Sequence, residues 1–178
     1  MINGVLVTFL AANQVFQWDP VEIGWLMGIP ILTGALLRLP AGILTDLYGG
    51  KPIYTGLLFV CAVPMYLLSH ADSFWTFALC SAGFGLAGVS FSIGIAYSSA
   101  WYPRHRQGTV LGIFGAGNAG AALTTFFAPT LLNSITDNGS NLEEWRQLPI
   151  YYAIMFIVLG ITFATFAENK KTSSKAKT

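Results

Sequence analysis

Six apolar runs, residues 2–16, 23–44, 53–68, 74–101, 110–135 and 150–166, alternate with short polar stretches along the chain. A helix rises 1.5 Å per residue, so roughly 20 apolar residues cross the hydrocarbon layer of a bilayer. The pattern predicts an all-α membrane protein, a six-helix transmembrane bundle over residues 1–167. The first run is short, and it has neither the basic leader nor the small-residue cleavage site of a signal peptide. A first helix missing its beginning is expected, from a fragment or a misassigned start. Residues 168–178 form a polar Lys/Ser/Thr tail too poor in apolar side chains to bury a core. That tail is expected to be a disordered cytoplasmic end or the start of an interdomain linker.

Composition agrees with the pattern. The 178 residues are 54% hydrophobic and 10% charged, with a mean hydropathy of +0.60, whereas soluble domains carry about 25% charged residues. The net charge of +1 identifies no partner, but the placement of the charges predicts a topology. Lys51, Arg104, Arg106, Lys170, Lys171, Lys175 and Lys177 fall on one side of the predicted spans, and Arg146 on the other. By the positive-inside rule both termini face the cytoplasm, in what is expected to be the cell membrane. Asp19, Glu22, Asp72, Asp137, Glu143 and Glu144 lie on the outer side, leaving Asp46 and Glu168 inside. Cys61 and Cys80 fall within spans and show no metal-ligand spacing, so they read as packing residues. No nucleophile-and-base arrangement, metal cluster or phosphate loop is present, and neither an enzyme nor a cofactor is expected. Gly83-Phe84-Gly85-Leu86-Ala87-Gly88 is formally a G-x-G-x-x-G, but no strand precedes it, so it reads as helix packing rather than nucleotide binding.

One cation interrupts the second run. Arg38 is the sole charge in residues 23–44, where insertion into the bilayer centre costs roughly 2.5–3.5 kcal/mol. Gly34, Ala35, Ala41 and Gly42 share its helix face, which leaves space around a planar fork of donors suited to a planar oxyanion. The alternatives are a carboxylate partner on another helix or a side chain that snorkels to the interface. Asp46, eight residues on, lies about 12 Å away along the helix and is too distant to pair. The fifth run carries Gly108, Gly112, Gly115, Ala119 and Ala122 at alternating spacings of four and three, a stripe that permits close helix contact. Asn118, ringed by Gly115, Gly117, Ala121 and Ala122, places an amide where packing alone does not require one. Asn13, Gln14 and Thr33 are more ordinary, since such side chains usually bond to nearby backbone. Tyr97, Tyr151 and Tyr152 line a path or sit at an interface. Trp18, Trp25, Trp75, Trp101 and Trp145 mostly flank spans, as an aromatic belt does.

Between the second and third runs, Gly42, Leu44, Asp46, Gly49 and Lys51 match the pattern G-x-L-x-D-x-x-G-x-K. Here the chain resembles the major facilitator superfamily, with Leu47 and Gly50 standing where a basic residue is common. Residues 112–129, centred on Gly115-Ala116-Gly117-Asn118-Ala119-Gly120, closely resemble the glycine-rich signature of the nitrate/nitrite porter family. Arg38, Pro40, Gly42, Asp46, Gly49 and Gly50 match that family's pattern in the second helix.

The resemblance implies the first half of a twelve-helix fold with the site between two six-helix halves. It implies nitrate/nitrite transport by alternating access, with Arg38 as the anion ligand and Asn118 as a pore-facing residue. Gly42, Asp46, Gly49 and Lys51 become gating residues, and Gly108, Gly112, Gly115, Gly117 and Gly120 a sliding surface. The implied partners are a small inorganic anion, the lipid bilayer and a second six-helix half. The resemblance leaves open another small anion such as formate or oxalate, and a non-transporting membrane fragment.

Overall fold

A computed structural model describes residues 2–169. Its elements are α1 (Ile2–Ala12), α2 (Pro20–Tyr48), α3 (Gly50–Leu68), α4 (Phe74–Trp101), α5 (Arg104–Ala116) and α6 (Ala119–Ile135). A 3₁₀ turn (Leu142–Arg146) then leads into α7 (Gln147–Phe166). Among the described residues, five stretches are long and apolar enough to cross a membrane: α2, α3, α4, α5 with α6, and the 3₁₀ turn with α7. The first helix, at 11 residues, is not. It stops at Ala12 rather than 16, because Asn13 turns its side-chain amide back onto the Phe9 carbonyl (2.9 Å) and Gln14 takes a positive φ of 53°.

The second helix is longer than its apolar run at both ends. Pro20 occupies the first turn, where a missing N–H costs nothing, and Asp19 and Glu22 close a capping box, with the Asp19 N–H donating to Glu22 Oε2 at 3.0 Å. The fourth helix starts on a similar box between Ser73 and Thr76. The far end of α2 needs glycine: Gly49 has φ +92°, a left-handed value that lets α2 reverse directly into α3.

Tyr97 bonds Glu168 and Asn169 bonds Tyr48 at one end of the bundle, while Arg146 bonds Ser69 and Asp72 at the other. The first end carries Lys51, Arg104 and Arg106, and the other carries Asp19, Asp72, Asp137, Glu143 and Glu144. The buried core concentrates near the acidic end, where Leu6, Leu10, Leu26, Leu68, Phe77, Leu132, Trp145 and Leu148 are all inaccessible. Aromatic rings reinforce it, with Phe16 stacked on Trp18 at 4.9 Å and Phe77 tilted against Trp145 at 5.7 Å. Arg146 fastens this end: it donates to Asp72 (2.6 Å), Glu143 (3.1 Å) and the Ser69 carbonyl (2.9 Å). Cys61 and Cys80 are buried and free, as packing residues should be.

The closest crossing is that of α2 on α4. A Cβ added to Gly34 would lie 2.9 Å from the Gly85 carbonyl oxygen, and one on Gly85 would meet the Gly34 nitrogen at 2.7 Å. Thr33 crosses the same seam, donating to the Ala82 carbonyl at 3.0 Å. Toward the basic end the bundle loosens, and α5 contains no buried residue.

Candidate functional site

A cavity of about 770 Å³ opens between α2, α3, α4 and the α5–α6 span. Most of its lining is apolar or glycine, and four lining residues have polar side chains: Arg38, Tyr54, Ser90 and Asn118. Arg38 lies ten residues from the end of α2, or about 15 Å from the basic end of the bundle by helical rise. Its side chain is exposed, and among the described residues it has neither a carboxylate partner nor a hydrogen bond. The carboxylate alternative therefore has no support within these helices. Snorkelling would have to cover about 9 Å, the rise from Arg38 to the end of the apolar run at Leu44.

Asn118 reaches the cavity through a local departure from α-helical geometry. The fifth apolar run is helical from Arg104 to Ile135 but is interrupted at Gly117 and Asn118. There the N–H groups of Gly117, Asn118, Gly120 and Ala121 each bond three residues back, at 2.9–3.0 Å. Such tightening is the 3₁₀ pattern, favoured here by side chains too small to resist it. Asn118 keeps a right-handed backbone (φ −62°, ψ −17°) and its amide caps nothing. Two donors and an acceptor are left free at the cavity wall.

Phe91 and Phe114 form an apolar wall beside these groups, with ring centroids 5.6 Å apart. Phe114 fits because its ring lies against Gly94, where any side chain would collide.

The remaining sequence-predicted positions divide. Asp46 and Lys51 make no ion pair among the described residues, and Gly42 is open. Gly49 serves its turn, and the segment after α7 meets that turn, with the Asn169 amide donating to the Tyr48 carbonyl at 3.3 Å. The stripe of small residues is open within the described bundle. A Cβ at Gly108, Gly112, Gly115 or Gly120 would meet nothing within 4 Å, so no described helix packs there, while one at Gly117 would approach only the Phe114 carbonyl. Tyr97 donates to the Glu168 carbonyl at 2.8 Å instead of facing the cavity, and Tyr151 bonds Gln147. The tail lysines lie outside the described residues.

The whole chain, residues 1–178, matches the family model of the Major Facilitator Superfamily. The chain belongs to the major facilitator superfamily. This major facilitator chain is 42% identical over 165 residues to a "Probable nitrate/nitrite antiporter NarK1" of Thermus thermophilus, a match covering 89% of the chain and 37% of the relative. It is 34% identical to a "Nitrite extrusion protein" of Bacillus subtilis, over all of this chain and 45% of that protein. A "Probable nitrate transporter NarT" of Staphylococcus carnosus is 29% identical over 92% of the chain and 40% of its own length. The chain thus spans less than half the length of these relatives. Membership also makes it a multi-pass integral membrane protein, in agreement with its apolar helices.

Nothing in the sequence marks Tyr54 as a cavity residue, and Ser90, beside the glycines of α4, reads there as helix packing. Hydroxyls are common in membrane helices, and no spacing rule separates one that bonds its own backbone from one that faces a cavity. Only the apposition of α3 and α4 distinguishes them.

Proposed function

We propose that this chain is the amino-terminal half of a nitrate/nitrite transporter and that its cavity forms one wall of the anion site. The observation that carries this reading is Arg38, a mid-span guanidinium without a carboxylate, opening into a cavity that also holds the free Asn118 amide. A charge left unpaired at that depth is costly, and a permanent counterion on a neighbouring helix would relieve the cost. A passing anion relieves it only while bound, which is what a transport site requires. The fork of N–H groups fits two oxygens of a planar oxyanion at once, and the low-dielectric walls of Phe91 and Phe114 strengthen the attraction.

The names of the relatives favour nitrate and nitrite over formate or oxalate. Their length favours a second six-helix half, which would supply the facing wall and cover the open glycine stripe of α5 and α6. Residues 1–167 then form the bundle and 168–178 begin the connection to that half. The positive-inside rule favours an orientation with Lys51, Arg104 and Arg106, and both ends of the chain, on the cytoplasmic side of the cell membrane. Asp46 and Lys51, unpaired within this half, are placed to meet charged groups across the interface as gating residues.

The test is Arg38→Lys in the full-length transporter, expressed in cells lacking their own nitrate and nitrite transport. Charge survives this change but the bidentate fork does not, so membrane insertion should persist while uptake of labelled nitrite falls at least tenfold. Uptake at the unmodified level would remove Arg38 from the site. Inhibition of that uptake by formate but not by nitrate would shift the cargo to another anion.

A further inference from the structure

Arg38 and Asn118 leave part of the cavity wall unaccounted for. Tyr54 on α3 and Ser90 on α4 line the same space, close enough for one hydroxyl to reach the other. Ser90 stands eleven residues from the end of α4, and Tyr54 four residues into α3. Tyr97 of α4 lies against Gly50 at the start of α3, so from that level Ser90 and Tyr54 stand about 10 Å and 6 Å into the bundle by helical rise, between the basic end and Arg38. Its position is fixed from behind, where Phe163 of α7 packs on it with ring centroids 4.9 Å apart. Both residues are half-buried, and neither hydroxyl has a close backbone acceptor of the kind that occupies Thr33, Thr124 and Thr125.

Each hydroxyl has one proton and two lone pairs. When one donates to the other, a single O–H remains unspent. Nitrite has two oxygens, and a guanidinium fork can engage both. Nitrate has a third, which must find another donor or lose hydration without replacement.

We propose that the Tyr54–Ser90 pair is a specificity element of the anion site, offering its unspent O–H to the third oxygen of nitrate. This rests on the transport function proposed above. The pair is neutral, so it adds a donor without a second buried charge, and an anion held partly by hydroxyls can leave toward the basic end. Nitrite gains less from it, because its two oxygens are already served.

The experiment measures KM and Vmax for nitrate and for nitrite in the full-length transporter carrying Tyr54→Phe, Ser90→Ala or Ser90→Thr. Tyr54→Phe keeps the ring on Phe163 and removes only the hydroxyl, so surface expression should match that of the unmodified protein. A hydrogen bond to an ion contributes enough for its loss to raise the nitrate KM roughly tenfold. The nitrite KM should rise less, and Ser90→Thr should restore what Ser90→Ala removes. A merely structural role would move both anions alike or lower Vmax alone, and either pattern overturns the proposal. Unchanged nitrate KM in both Tyr54→Phe and Ser90→Ala overturns it too, while leaving the function intact if Arg38→Lys still abolishes uptake. If the unmodified transporter carries neither anion, the function fails first and this inference fails with it.

Discussion

Pro30 has no N–H to give the Leu26 carbonyl one turn earlier, and in a membrane helix no water is at hand to replace it. Asn3 of α1 fills the gap, donating its side-chain amide to Leu26 at 2.9 Å. Ser81 of α4 in turn donates to Asn3 Oδ1 at 3.1 Å, so one buried amide ties three helices together. Intramembrane hydrogen bonds average about 0.6 kcal/mol and reach about 1.7, and Asn3 makes two while protecting a buried carbonyl. Asn3→Ala should therefore cost about 1–3 kcal/mol. Ser81→Ala, which removes one bond, should cost about 0.6 kcal/mol. Reversible unfolding in detergent measures both, and equal losses would show that Asn3 acts by packing alone. Nothing in the sequence singled out Asn3, because its value comes from a proline 27 positions away on a different helix. Arg38 and Asn118 were legible for the opposite reason: each is anomalous within its own apolar run, whatever the tertiary structure. Their placement on one cavity was not legible, since it depends on how α2 and the fifth span face one another.

Helices in lipid approach closely only where side chains are small, and the three glycines of the Gly83–Gly88 segment separate sites that do so from one that does not. Gly83 meets Pro64 of α3 and Gly85 meets the α2 backbone, whereas Gly88 has open space beside it and lines the cavity. Gly85→Ala would push a methyl group into Thr33 and the Gly34 nitrogen, both parts of the tightest seam in the bundle. It should lower the yield of folded protein in the membrane severalfold, while Gly88→Ala should leave it unchanged. Fluorescence-detected gel filtration of tagged variants makes the comparison, and similar losses from both would contradict this account of the seam. The G-x-G-x-x-G spacing correctly announced helix packing but not which glycine was spared, because a one-dimensional pattern does not state which face meets a neighbour. The fifth span shows the same limit: its stripe of small residues is plain in the sequence, yet within the described bundle it faces no helix at all.

At the scale of the whole molecule, packing and charge are polarised in the same direction. The acidic end is closed by the aromatic and leucine core, while the cavity lies in the middle of the bundle and α5, toward the basic end, is loosely packed. Arg146 is the apparent exception to the charge pattern, a cation at the acidic end. It is held by Asp72 and Glu143 and stacks over the Trp145 ring at 5.0 Å, so its charge is locally neutralised. Lys51, Arg104 and Arg106 have no such ion pairs among the described residues, and their free charge resists translocation across the membrane. This predicts the orientation. In the full-length protein with Cys61 and Cys80 replaced, Ser140→Cys in the exposed acidic-end loop should react with a membrane-impermeant maleimide on intact cells. His105→Cys, exposed at the basic end, should react only after permeabilisation. The reverse labelling pattern would invert the topology, and the cavity beside Arg38 would then approach the outside rather than the cytoplasm.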